Sequence, residues 1–212
     1  FSADEDWSEL NLYNTEPEKV TDFVVDASDI PSSLKKAVTV TLTGEWDSDA
    51  FNLLSMALGN NGGLFVTTNA TLVTLDMSRI KVAENTPLWR QGLKEYGIFN
   101  NCTALEKVIM PTAEEAGHFT KLNKAFEGCT ALRDIDLSLL TGATDIEAAF
   151  KGTAIEKADL SGCTSLGSTV SAFEGCAALQ EVILPSCFVP ANYTFADCTG
   201  LKLIDYTAYT DT

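Results

Sequence analysis

The side chains of this chain best suited to covalent or metal chemistry are six cysteines, Cys102, Cys129, Cys163, Cys176, Cys187 and Cys198, and one histidine, His118. A thiolate with an imidazole base would make a cysteine-dependent hydrolase, and Cys163 or Cys187 with His118 is the pairing to weigh. Such a site also needs a group that orients the base and a pocket around it, and the sequence points to neither. No CxxC pair occurs, and a single histidine makes a zinc site a poor fit. There is no GxSxG, no HExxH and no phosphate-binding glycine loop followed by Lys-Ser/Thr. The expectation is a protein that is not an enzyme, with no catalytic residue, metal or cofactor.

Four of the cysteines share another logic, because they recur at one place in a repeat. The copies are IFNNCTALEKVIMP from Ile98, AFEGCTALRDIDLS from Ala125, AFKGTAIEKADLS from Ala149, AFEGCAALQEVILP from Ala172 and TFADCTGLKLIDYT from Thr194. Each carries a phenylalanine, a turn-forming pair, a cysteine (threonine at Thr153), an aliphatic residue and a short alternating run. The copy from Ala149 is one residue shorter between Thr153 and Ile155. LVTLDMS from Leu72 and, more loosely, AVTVTLTG from Ala37 keep the run without the Phe-Cys half. Aligned on Ala37, Leu72, Leu105, Leu132, Ile155, Leu179 and Leu201, the steps are 35, 33, 27, 23, 24 and 22 residues. The later steps fall in the period of leucine-rich repeats, about 20–29 residues.

A strand alternates its faces, so Ile135 and Leu137 of LRDIDLS point one way while Leu132 enters from the bend. One such strand cannot bury three apolar side chains. Seven copies stacked at about 4.8 Å predict one parallel sheet over a continuous core. Phe99, Phe126, Phe150, Phe173 and Phe195 then form an aromatic stack on the far side of that core. Cys102, Cys129, Cys176 and Cys198 become a column of buried thiols, small hydrophobes rather than nucleophiles. A disulfide between rungs of such a ladder would be strained. Cys163 and Cys187 lie off the ladder, where a bridge between them is open.

The units AFEGCTAL, AFEGCAAL and FADCTGL with their strands resemble the BspA-like leucine-rich repeats of bacterial surface proteins. The resemblance covers about Ile98 to Thr207, and LVTLDMS extends it to Leu72. It implies an α/β-type repeat solenoid, a right-handed coil with a parallel sheet on one face. It also implies an extracytoplasmic, cell-surface or secreted location and a role in binding or adhesion, with a lipid anchor upstream an option.

Elements outside the repeat must close this coil. The expected organisation is an acidic tether over 1–18, an N-terminal cap merging with the first repeat over 19–60, and the solenoid over 61–212. In the cap, VTDFVVDA from Val20 reads as a strand and Ser32 to Lys36 as a helical turn. Asp49 to Leu58 reads as a short helix, with Phe51, Leu54 and Leu58 on one face, Ser48 as its cap and Gly59 as its end. GNNGG from Gly59 reads as a turn. At the other end LKLID is the last strand, with only Tyr206 and Tyr209 to cover it, an edge that invites a partner or a dimer contact.

Composition narrows the partners. With 14 basic and 30 acidic residues the formal net charge is -16, which repels nucleic acid and anionic lipid. No apolar run approaches the roughly 18 residues of a membrane span, and FSADEDWSEL lacks the features of a signal peptide. A protein ligand is expected on the outward strand face, whose candidate residues are Thr74, Asp76, Lys107, Ile109, Asp134, Asp136, Lys157, Asp159, Glu181, Ile183, Leu203 and Asp205. Asp136 and Asp159, expected about 5 Å apart on neighbouring rungs, could hold a cation, although solvation of the face is the plainer reading. Trp89, in the long connection from Arg79 to Tyr96, is a candidate anchor for protein or sugar. With Tyr96 it supports a second reading, a carbohydrate-binding accessory protein. The competing reading for Trp89, as for Trp7 and Trp46, is that it covers the core.

Overall fold

The computed structural model describes residues 22–59, 71–90 and 96–207. The tether over 1–18, Trp7, most of the GNNGG turn and Tyr209 lie outside these residues. In chain order the elements are β1 (Asp22–Asp26), β2 (Thr39–Trp46), α1 (Ser48–Ala57), β3 (Thr74–Val82), β4 (Trp89–Arg90), β5 (Tyr96–Gly97), β6 (Lys107–Ile109), α2 (Ala113–Ala116), β7 (Lys157–Asp159), β8 (Glu181–Ile183) and β9 (Leu203–Asp205). Strands β1, β2, β3 and β6 form one parallel sheet, and β7, β8 and β9 form a second. Only the two-residue pair β4–β5 is antiparallel among these strands.

Alternation explains which side chains go inside. Val40, Leu75 and Val108 stand in register across β2, β3 and β6 and are buried. Ala158 and Val182 do the same in the second sheet, followed by Ile204 on the last rung. Across the core, neighbouring rings of Phe99, Phe126, Phe150, Phe173 and Phe195 lie 5.3, 5.8, 5.4 and 5.7 Å apart and within 15° of parallel. Each such contact adds roughly 0.5–1.5 kcal/mol beyond area burial. The turn carrying them is a backbone ladder of its own: Phe99, Phe126, Phe150 and Phe173 donate N–H to the carbonyls of Ala125, Ala149, Ala172 and Thr194 on the next repeat.

That turn requires the pair before the cysteine. Its second residue has φ between +58 and +74° in every copy, at Asn101, Gly128, Gly152, Gly175 and Asp197. Glycine reaches this region freely, and asparagine and aspartate tolerate it. These types hold the turn at the least backbone strain.

The single seven-rung sheet does not form. Ladder bonding runs from β6 into the next copy only as far as Val108 N–H to Asp134 C=O, a lone bridge, after which the chain enters a 3-10 turn at Leu137–Leu139. The break falls at the copy that is one residue short. With that residue missing, Ala154 N–H bonds Leu132 C=O, and among the described residues Lys157 N–H and Asp159 N–H donate to no backbone carbonyl. The other sides of the stack remain continuous there: Leu122, Lys124, Phe126 and Gly128 all donate to the next repeat.

At the N-terminal side β1 adds a rung before Ala37, pairing with β2. The cap of α1 is Asp47 rather than Ser48. Its carboxylate accepts from Asp49 N–H at 3.0 Å and Ala50 N–H at 2.9 Å, so the helix begins one residue earlier. Ser32 to Lys36 holds only a two-residue turn at Lys35–Lys36. Trp46 is fully buried, its ring tilted 48° against that of Phe51 at 5.1 Å, with its indole N–H on Thr43 C=O. The last rung is open: Leu203, Ile204 and Tyr206 are 52%, 39% and 68% exposed beside an apolar recess of about 560 Å³ under Phe188 and Phe195.

Candidate functional site

The outward strand face carries rows of side chains set by the register. One row runs Thr39, Thr74 and Lys107, and its counterpart in the second sheet runs Lys157, Glu181 and Leu203. Lys107 Nζ meets Asp134 Oδ2 at 2.7 Å, and Lys157 Nζ meets Glu181 Oε1 at 2.9 Å. The hydrogen bond it donates to Glu181 holds the Lys157 ammonium above the ordinary lysine range. Exposed pairs of this kind contribute at most about 1 kcal/mol, so their effect is to fix charge positions on the face.

The second row, Thr41, Asp76 and Ile109 followed by Asp159, Ile183 and Asp205, ends the short strands β6 to β9 and falls at the register shift between the longer β2 and β3. Here the aspartates are occupied. Asp136 Oδ1 accepts from Ser138 N–H at 3.0 Å and Ser138 Oγ–H at 2.6 Å, and Asp159 does the same with Ser161. Asp26 repeats the arrangement with Ser28, and Asp76 and Asp205 accept from the N–H of Ser78 and Thr207. These are Asx turns, a local solution for leaving a strand. Hydrogen bonds from Ser28 and Thr207 hold the Asp26 and Asp205 carboxyls below the usual range. Where the row has isoleucine, proline follows two residues on, at Pro111 and Pro185. Asp136 and Asp159 share no ladder bond. No cluster of three or more His, Cys, Asp or Glu suited to a metal occurs among the described residues.

Between these two aspartates the broken sheet leaves an open cleft of about 610 Å³. One wall is the backbone and side chains of 133–138, and the other is Glu156, Lys157 and Asp159. Arg133 and Glu156 were not among the residues expected to matter; the missing residue after Thr153 was the signal for them.

The thiols are engaged in packing. Cys129, Cys176 and Cys198 donate S–H to Phe99, Phe150 and Phe173 C=O of the preceding repeat at 3.0–3.1 Å. Thr153 in the short copy bonds Phe150 C=O of its own turn. Burial pushes Cys102 up to about 12, Cys198 to about 11, and Cys129 and Cys176 upward as well. Cys163, also raised to about 12 by burial, and Cys187 are free thiols; Cys187 Sγ donates to Cys163 C=O at 3.1 Å, and the bridge left open for them does not form. His118 Nδ1 lies 2.6 Å from Val82 C=O and 3.9 Å from Glu115, whose carboxylate accepts Val82 N–H. His118 thus ties α2 to the end of β3, and the segment before it is a helical turn capped by Thr112.

Trp89 and Tyr96 are half-buried, on the β4–β5 pair. Tyr96 borders a second cleft of about 510 Å³ with Asn100, Asn101, Lys124, Glu127 and Lys151. In it Asn100 Nδ2–H donates to Glu127 at 3.2 Å, and Lys151 pairs with Glu174 at 2.9 Å.

Residues 95–210 match the sequence pattern described as the BspA type leucine-rich repeat region, in six copies. A crystal structure of a leucine-rich repeat protein from Bacteroides ovatus is similar at 17% identity with a TM-score of 0.42, covering 91% of this chain and 50% of that one. This chain therefore spans about half the length of that relative. No curated protein matches it.

Proposed function

Because the chain belongs to the family of BspA-type leucine-rich-repeat proteins, we propose that it is a non-enzymatic, extracytoplasmic binding or adhesion module that presents its outward strand face to a protein ligand. In this reading the stack is a right-handed solenoid over 61–212, closed by the cap over 19–60 with its helix α1. The observation that carries the reading is the face itself. Backbone ladders fix its rungs, and Lys107–Asp134 and Lys157–Glu181 fix its charges without burying them. Such a surface offers complementarity at little ordering cost. The thiols point the same way, since burial and S–H···O=C bonding suit them to packing.

Glycan binding is the second reading. It is supported by the Tyr96 cleft, which a tyrosine, two asparagines and charged residues line together. An array of extracellular proteins and glycans separates the two. The fourfold variant Lys107→Ala, Asp134→Ala, Lys157→Ala and Glu181→Ala is expected to lose the protein signals of the parent chain. Protein signals that survive in the variant would remove the strand face from the role. Glycan signals lost in Tyr96→Ala would favour the second reading.

A further inference from the structure

The cleft in the broken sheet combines features that a solvated groove does not need. In β7 the even-numbered residues face β8: Glu156 C=O accepts from Gln180 N–H and Glu181 N–H, and Leu160 N–H reaches Ile183 C=O. The odd-numbered residues Lys157 and Asp159 therefore aim their N–H and C=O groups across the cleft toward 133–138, with which they form no backbone bond. An unsatisfied strand edge in the middle of a stack is the template that pairs with an added strand. Its volume, about 610 Å³, lies within the range of ligand pockets.

The electrostatics select the occupant. Two basic and four acidic residues line the cleft. Lys157 is drawn to Glu181 and Asp134 to Lys107. Glu156 has no ion-pair partner among the described residues, and Asp136 and Asp159 each use only Oδ1 in their turns. With Arg133 and Lys157 as its two cations the cleft keeps an excess of negative charge, and Glu156 is the carboxylate of its lining that neither an ion pair nor a turn engages.

We propose that this cleft receives an extended segment of a partner protein bearing a basic side chain, whose backbone pairs with the edge at Lys157 and Asp159 while the cation meets Glu156. The assignment rests on reading the chain as a protein-binding module and names where and what it binds.

The test is selection from phage-displayed random linear dodecapeptides. Enriched sequences are expected to carry lysine or arginine and to shift the amide resonances of Lys157 and Asp159. Their affinity is expected to fall about tenfold or more in Glu156→Lys, one ion pair being of this order. A variant with one alanine inserted after Thr153 restores the repeat length and closes the sheet; it is expected to bind none. Should that insertion destabilise the fold, Glu156→Lys with the amide shifts decides alone. No enrichment, or peptides that bind both variants as tightly as the parent, overturns the cleft. Array proteins that still bind Glu156→Lys but not the fourfold variant would sink this proposal while leaving the binding module intact.

Discussion

Replacing Phe150 by alanine removes the middle ring of the aromatic stack. Phe150 is fully buried, with Phe126 at 5.8 Å and Phe173 at 5.4 Å. Truncation of a buried phenylalanine costs about 3–5 kcal/mol, and the loss of two ring contacts places Phe150→Ala toward the upper part of that range. Phe195 is only half-buried, with Phe173 at 5.7 Å and Phe188 at a looser 6.3 Å. Phe195→Ala should therefore cost about half as much, roughly 2 kcal/mol. Urea unfolding followed by circular dichroism measures both. Since a stack is held by nearest-neighbour terms, Phe150→Ala is also expected to broaden or split the transition by uncoupling the two halves. A cost below about 1 kcal/mol for Phe150→Ala, or equal costs for the two variants, would refute the claim that the rings act as a connected column.

Iodoacetamide at pH 8 should label Cys187 first and leave Cys102 and Cys129 unlabelled until the chain unfolds, because burial disfavours their thiolates; equal labelling of Cys129 and Cys187 by mass spectrometry would count against this. The buried thiols Cys102 and Cys163 lie above their ordinary value of 9.0, so the stabilisation they give is complete below about pH 9 and is lost as the pH rises toward 12. The urea midpoint should fall between pH 8 and pH 10.5, and less steeply in Cys102→Val. Asp159→Ala should cost about 1 kcal/mol by removing the Asx turn on Ser161, while Asp159→Asn keeps most of it; equal melting temperatures for the two variants would be inconsistent with the turn. Gly97→Ala would drive its Cβ into the Lys124 C=O, whereas nothing lies within 4 Å of a Cβ at Gly152. Gly152→Ala, strained only by φ, should lose about 1 kcal/mol and Gly97→Ala markedly more in the same melts.

The aromatic stack and the thiol column were legible because Phe-x-x-Cys repeats at fixed spacing, and a parallel stack must superpose equivalent positions. The sheet break was visible as a deletion after Thr153, yet aligning copies on Ile155 and its equivalents treats that deletion as silent. In the structure the missing residue is what parts Lys157 from the rung before it. The aspartates have a second, local role that outward position did not reveal. Outward position made Asp76, Asp136, Asp159 and Asp205 look like ligand groups, while Asp-x-Ser/Thr, and Ile-x-Pro in the alternate rungs, is turn chemistry readable from spacing alone. The cap of α1 moved by one residue because Asp47 and Ser48 are both good caps and sequence cannot rank them.

The break also has a mechanical meaning. Between 122–128 and the following repeat the hydrogen bonds are complete, while the strand face opposite has lost them. A stack bonded on one side and free on the other is stiff to stretching but compliant to bending, with its pivot along the phenylalanine turns. Flexing the two halves toward or away from each other alters the strand face at one place only, and it does so without disturbing the ring column that holds the halves together.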